Sequence, residues 1–94
     1  MKRVVITGLG AITPVGNSVN GMWQNIRNGV SGIDKITLFD TSNFPVKYAA
    51  EVKNYLAGDY FKKLEIKKMA RVTQFAVISA QQAYNDANLE NANI

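Results

Sequence analysis

The segment Val4-Val5-Ile6-Thr7-Gly8-Leu9-Gly10-Ala11-Ile12-Thr13-Pro14-Val15-Gly16-Asn17 constrains the fold more than any other part of the chain. Its first residues are apolar at consecutive positions, so an extended strand there is apolar on both faces. Such a strand belongs in the middle of a mostly parallel sheet covered on both sides. The run then breaks into glycines and a proline, the residues of turns. The rest of the sequence offers too few strand patterns to complete that sheet. The expected fold class is therefore α/β, incomplete on its own, with the chain as the first part of something larger.

The chain has 94 residues, enough for one small domain with a modest core. No internal domain boundary, repeat or flexible linker is visible, so residues 1–94 read as one segment. A hydrophobic share of 47% argues against disorder. There is no cysteine, which excludes a disulfide framework, a thiolate metal site and a thiol nucleophile within these residues. There is no histidine either, so the commonest general base at neutral pH is missing. The acids are scattered without ligand spacing, so no metal and no cofactor is expected. Ser31, Ser42 and Ser79 have no histidine to activate them. Lys2-Arg3 precede an apolar run, but Gly8, Gly10 and Pro14 make it a poor signal helix. No stretch reaches the roughly 20 apolar residues of a membrane span. The expected location is the cytoplasm.

Along the chain, residues 3–8 read as a buried strand and 9–17 as a turn-rich connection. Asn17 or Ser18 is placed to cap a helix. Val19, Met22, Trp23, Ile26 and Val30 then recur at helical spacing, with Met22 and Trp23 assigned to the core, and Asn28-Gly29 ends the helix. Residues 31–47 lack periodicity, and Asp40-Thr41-Ser42-Asn43 before Phe44-Pro45 is a cluster of turn formers. Residues 48–52 suggest a short strand. From Leu64 to Ala87 runs the longest helical signal, with Ile66, Met69, Thr73, Ala76, Val77, Ala80, Ala83, Tyr84 and Ala87 on one wide face that Val72, Phe75 and Ile78 widen further. Its alanines allow a neighbouring backbone to approach closely. The polar end, residues 90–94, is expected to fray.

Two features invite a chemical reading. Gly8-Leu9-Gly10 after a strand opens like a dinucleotide fingerprint. The third glycine of that motif falls at Thr13, and the helix pattern starts only at Ser18. Asp34, near the spacing of the ribose-binding acid, sits in the unpatterned stretch. A structural glycine turn is the favoured reading, and nucleotide binding through Gly8 and Gly10 is the alternative. The second feature is charge. The net charge is +4, and five of the 11 basic residues, Lys62, Lys63, Lys67, Lys68 and Arg71, lie together with only Glu65 opposing them. On a continuous helix Lys63, Lys67 and Arg71 share a face, and Lys67 and Lys68 oppose the dipole of its first turns. The plain reading is a solvated face. The functional one is an acidic partner, with nucleic acid as a weaker alternative because no module signature accompanies Tyr60 and Phe61.

The opening run, Met22-Trp23, Asn28-Gly29-Val30-Ser31-Gly32-Ile33, Phe39-Asp40-Thr41-Ser42, Lys67-Lys68-Met69 and Ala83-Tyr84-Asn85-Asp86-Ala87-Asn88-Leu89 stand in an order that resembles the N-terminal part of the β-ketoacyl-[acyl-carrier-protein] synthases. The likeness is greatest to synthase II of bacterial fatty-acid synthesis and covers essentially the whole chain. The resemblance implies a thiolase-like layered fold, usually homodimeric, that condenses an acyl chain on a cysteine with malonyl-carrier protein, aided by two histidines. Those catalytic residues lie downstream of the matched region, so the 94 residues alone are expected to be catalytically silent. It also implies docking of an acidic acyl carrier protein on basic residues just before a methionine, positions held here by Lys67 and Lys68. Leu64 stands where another basic residue is expected, which redistributes the patch toward Lys62 or Lys63. Ala70 stands where an acid is common.

Overall fold

The computed structural model describes residues 2–91. Two compact units divide it, one of residues 12–55 and one built from the opening residues to Ala11 together with the chain from Leu56 onward.

In the unit of residues 12–55, Thr13 and Gly16 exchange backbone hydrogen bonds, 2.8 Å and 3.2 Å, around Pro14-Val15. Proline at the second position of a four-residue turn has its φ already set. Helix α1, Val19–Arg27, comes next, and the Ser18 hydroxyl caps it by accepting from Gly21 N–H at 3.0 Å. At its end Gly29 takes φ +70°, and Val30 N–H reaches back to the Asn25 carbonyl at 2.9 Å. That left-handed closure is what a glycine supplies cheaply. The helix forms where expected, but its apolar face stays open. Trp23 is 56% exposed, against its assignment to the core, and α1 has no buried residue.

Strands β1, Ile33–Lys35, and β2, Tyr48–Ala50, pair antiparallel with Ile33 opposite Ala50 and Lys35 opposite Tyr48. β1 falls in the stretch that reads as unpatterned, and every residue in it is exposed, which is why periodicity misses it. The connection between them is held by side chains. Asp40 accepts from Ser42 N–H at 3.0 Å, the local turn expected of it. Glu51 accepts from Thr37 N–H at 3.1 Å, Thr37 Oγ1 at 2.9 Å and Leu38 N–H at 3.2 Å. Lys53 Nζ donates to three carbonyls, Gly32 at 2.7 Å, Glu51 at 3.2 Å and Pro14 at 3.3 Å.

In the other unit, a 3-10 turn at Ala57–Asp59 precedes helix α2, Lys63–Lys68, and helix α3, Arg71–Asp86. Asn88, at φ +56°, stops α3, and Leu89–Asn91 close a further 3-10 turn. Of residues 90–94, expected to fray, Glu90 and Asn91 lie in that turn and 92–94 lie outside the described residues. The single helix expected from Leu64 to Ala87 is thus two helices. Met69 (φ −119°, ψ 131°) and Ala70 (φ −68°, ψ 159°) are extended between them. Local propensity gives no cause for this break, since alanine is the best helix former. The buried side of α3 agrees with the expected one at Ile78 and is otherwise much narrower. Gln74 and Ile78 are buried, while Val72, Ala76, Val77, Ala80 and Tyr84 are exposed.

The opening strand is the largest departure. Residues 3–8 form no ladder among the described residues, and Val4, Val5 and Ile6 are 96%, 63% and 83% exposed. A strand needs a hydrogen-bonded neighbour, and the sole sheet among the described residues is the two-stranded β1–β2 ribbon. The two glycines at the end of this tract are tightly placed. A Cβ at Gly8 would overlap the Ala83 carbonyl and come within 2.8 Å of Ala87 Cβ. A Cβ at Gly10 would overlap the Ser79 carbonyl and come within 2.9 Å of Ala83 N. The small residues of α3 therefore do admit a neighbouring backbone, as their sequence suggests.

Gly10→Ala forces two backbones apart and is expected to cost about 1–3 kcal/mol in chemical denaturation, while Gly58→Ala, with open space at its Cβ, leaves the midpoint nearly unchanged. A second expectation concerns pH. Desolvation raises the Glu51 carboxyl, but the hydrogen bonds from Thr37 and Leu38 and the charge of Lys53 outweigh it and hold it below its ordinary 4.5. Stability from this group is complete above that value and is lost as pH falls through the lower folded value. The melting temperature is expected to drop on acidification below about pH 4.5, and Glu51→Gln flattens that part of the profile.

Candidate functional site

The five cations expected to act together are all exposed and all lie in the unit that carries α2 and α3. Lys62 is the N-cap of α2, and its backbone N–H donates to the Glu65 carboxylate at 3.0 Å. Lys63 is the first residue of that helix. Lys67 and Lys68 occupy its last turn, so the electrostatic reading from sequence is reversed for them. A helix end carries partial negative charge, and cations there are favourably placed. The few tenths of a kcal/mol expected against them does not arise, because the helix that bears them ends at Lys68 rather than continuing. Lys62, Lys63 and Arg71 remain at positive ends.

The shared face is corrected in the same way. Lys63 and Lys67 stand four apart on α2 and lie on one side of it. Arg71 begins a separate helix beyond two extended residues, so helical spacing does not align it with them. Its guanidinium instead lies over the Phe75 ring, 5.0 Å from the centroid, one turn along α3. That contact offsets its place at the positive end of α3 and directs it along its own helix.

Sequence reasoning missed Gln74. It is 6% exposed, the one buried polar residue among those described, and its Nε2 donates to the Met69 carbonyl at 3.2 Å. A glutamine in a helical stretch gives no signal of such a role.

Two amides of the glycine-rich turn are already engaged by side chains of α3. Leu9 N–H donates to Asp86 Oδ2 at 3.0 Å, and Ala11 N–H donates to Gln82 Oε1 at 3.0 Å. The next helix along the chain starts at Val19, well past the glycines, so no helix N-terminus faces them in the manner of a dinucleotide site. Gly8 and Gly10 serve close packing. A cleft of about 460 Å³ opens between Tyr60, Phe61 and α3, lined there by Val77, Ile78, Gln81 and Gln82. Glu65 also lines it, without a second acid or a histidine beside it, and no cluster of three His, Cys, Asp or Glu able to hold a metal occurs among the described residues. No helix of the described residues is long and apolar enough to cross a membrane.

Calorimetric titration with NAD or NADPH to millimolar concentration is expected to give no binding heat. A saturable signal abolished by Gly10→Ala would restore the nucleotide reading.

Residues 1–94 match the family described as Beta-ketoacyl synthase, N-terminal domain. Over 89 residues, 95% of this chain, the sequence is 48% identical to the 3-oxoacyl-[acyl-carrier-protein] synthase 2 of Staphylococcus aureus and covers 22% of that protein. It is 48% identical over 88 residues to the synthase 2 of Synechocystis sp., covering 94% of this chain and 21% of that one. Among solved structures, the ishigamide ketosynthase/chain length factor superposes with a TM-score of 0.82 at 37% identity, over 93% of this chain and 22% of its own. The chain therefore spans 21–22% of the length of these relatives.

Proposed function

Because the chain belongs to the beta-ketoacyl synthase family, matched along residues 1–94, we propose that it is the N-terminal segment of a condensing enzyme. The enzyme extends an acyl chain carried on acyl carrier protein, using malonyl-carrier protein and releasing carbon dioxide. The observation that carries this reading is the 48% identity to a 3-oxoacyl-[acyl-carrier-protein] synthase 2 over 95% of the chain. Residues 1–94 form one segment of a layered α/β, thiolase-like domain. In that domain the apolar strand from Val4 to Ile6 finds the sheet neighbours it lacks among the described residues. The enzyme is a cytoplasmic homodimer.

The segment's own contribution is scaffold and docking surface. It contains no cysteine and no histidine, so it supplies neither the acyl-bearing nucleophile nor the groups that assist decarboxylation. Lys67 and Lys68 at the end of α2, with Lys63 one turn earlier, present an exposed cationic face to the acidic carrier protein. Lys62 and Arg71 flank it from the start of α2 and the start of α3. Charge of this kind on a rim acts mainly through the association rate and fades with salt.

In the full-length protein, acyl- and malonyl-carrier protein are expected to yield a 3-oxoacyl product with stoichiometric carbon dioxide, while residues 1–94 alone yield none. Lys67→Glu with Lys68→Glu is expected to raise KM for the acyl-carrier protein about tenfold at low salt, the size of two reversed exposed contacts. The effect shrinks as salt rises. Condensation with an unchanged KM would remove the docking role, and salt-dependent binding to DNA without condensation would favour a nucleic-acid module instead.

A further inference from the structure

We propose that Gln74 is a positioning residue for the cationic segment. Its buried amide keeps α2 and α3 apart and so sets where Lys67 and Lys68 stand. This inference rests on the docking reading above.

The interruption at Met69-Ala70 runs against local preference. Lys67, Lys68, Met69, Ala70 and Arg71 are all good helix formers, which favours one continuous helix. In such a helix the Met69 carbonyl accepts from the backbone N–H four residues on, that of Thr73. Here the side chain of Gln74 donates to that carbonyl instead, at 3.2 Å. The backbone N–H of the same residue donates to the Ala70 carbonyl at 3.1 Å, the first bond of α3. One residue thus serves both carbonyls of the extended pair. The other side of the break closes on itself, with Met69 N–H donating to the Ile66 carbonyl at 3.4 Å.

Gln74 is 6% exposed and sits beside Phe75, whose ring carries Arg71. Removing the amide leaves a part-buried carbonyl without that donor, and the state that resupplies one is the joined helix. Joining turns Lys63, Lys67 and Arg71 onto one line and moves Lys67 and Lys68 from a helix end into a helix interior. The cationic surface is then regrouped without any cation being removed. Gln74 itself touches neither substrate nor carrier; it acts through the lysines.

The test compares Gln74→Met, which keeps length and burial but has no donor, with wild type and with the double lysine variant in the full-length protein. Two substrates are used, acyl-carrier protein and a carrier-free acyl thioester of N-acetylcysteamine. Gln74→Met is expected to raise KM for the carrier-borne substrate about fivefold, the size of one exposed charge contact. It is expected to flatten the salt dependence of that KM and to leave turnover of the carrier-free thioester unchanged. Should Gln74→Met not fold, Gln74→Leu carries the same comparison, again with no donor and no new charge. Equal loss on both substrates, or failure of both variants to fold, makes Gln74 a plain core residue and overturns the proposal. No change for Gln74→Met while the lysine variant raises KM overturns this inference alone. No change for the lysine variant removes the docking reading and this inference with it.

Discussion

Two peptide groups can rest directly on α3 only because Gly8 and Gly10 carry no side chain. Their unit is organised around that approach. With the backbones this close, Asp86 and Gln82 reach across to the amides of Leu9 and Ala11. The carboxylate of Asp86 sits in the last turn of α3, where the helix dipole disfavours an acid. A backbone donor at 3.0 Å offsets that cost. The same contacts decide a chemical question. A strand–glycine–turn sequence can cradle a phosphate when its amides face open space at a helix start. Here side chains of α3 have already taken two of the donors, those of Leu9 and Ala11, and the next helix starts only at Val19.

The second organising feature is the interruption of the long helical pattern. It converts a line of repelling cations into two groups with different electrostatic settings. Lys67 and Lys68 complement the end of α2, whereas Arg71 is stacked on Phe75 at the beginning of α3. A chain that looks like one amphipathic helix is therefore two elements that orient charge separately. The other unit uses a different device for its long connection. Glu51 and Lys53, two residues apart on the chain, gather backbone donors and carbonyls respectively.

Elements whose causes are local were legible in the sequence. Ser18 caps α1, Gly29 closes it, and Asp40 folds its own turn. The packing role of the alanines was also legible, because only small side chains permit that approach. Elements whose causes lie elsewhere were not. β1 is fully exposed and so leaves no alternation to read. The helix break depends on a side chain five residues from the carbonyl it holds. The opening tract has strand chemistry but no partner among the described residues, so its pattern announced a sheet rather than a contact. As for the candidate site, sequence grouped the cations of residues 62–71 but misjudged their dipole setting and their shared face, and both errors trace to Met69 and Ala70. Family membership came from residue order along the chain, which no single physical feature encodes.

The tract from Val4 to Ile6 has a consequence beyond fold assembly. β-branched residues with open backbone groups are a template for amyloid-like growth by any other extended chain. Lys2 and Arg3 stand immediately before it, and cations beside such a tract act as gatekeepers, repelling like copies at close range. While the tract is unpaired, the like charges of these two side chains oppose its association with a second copy.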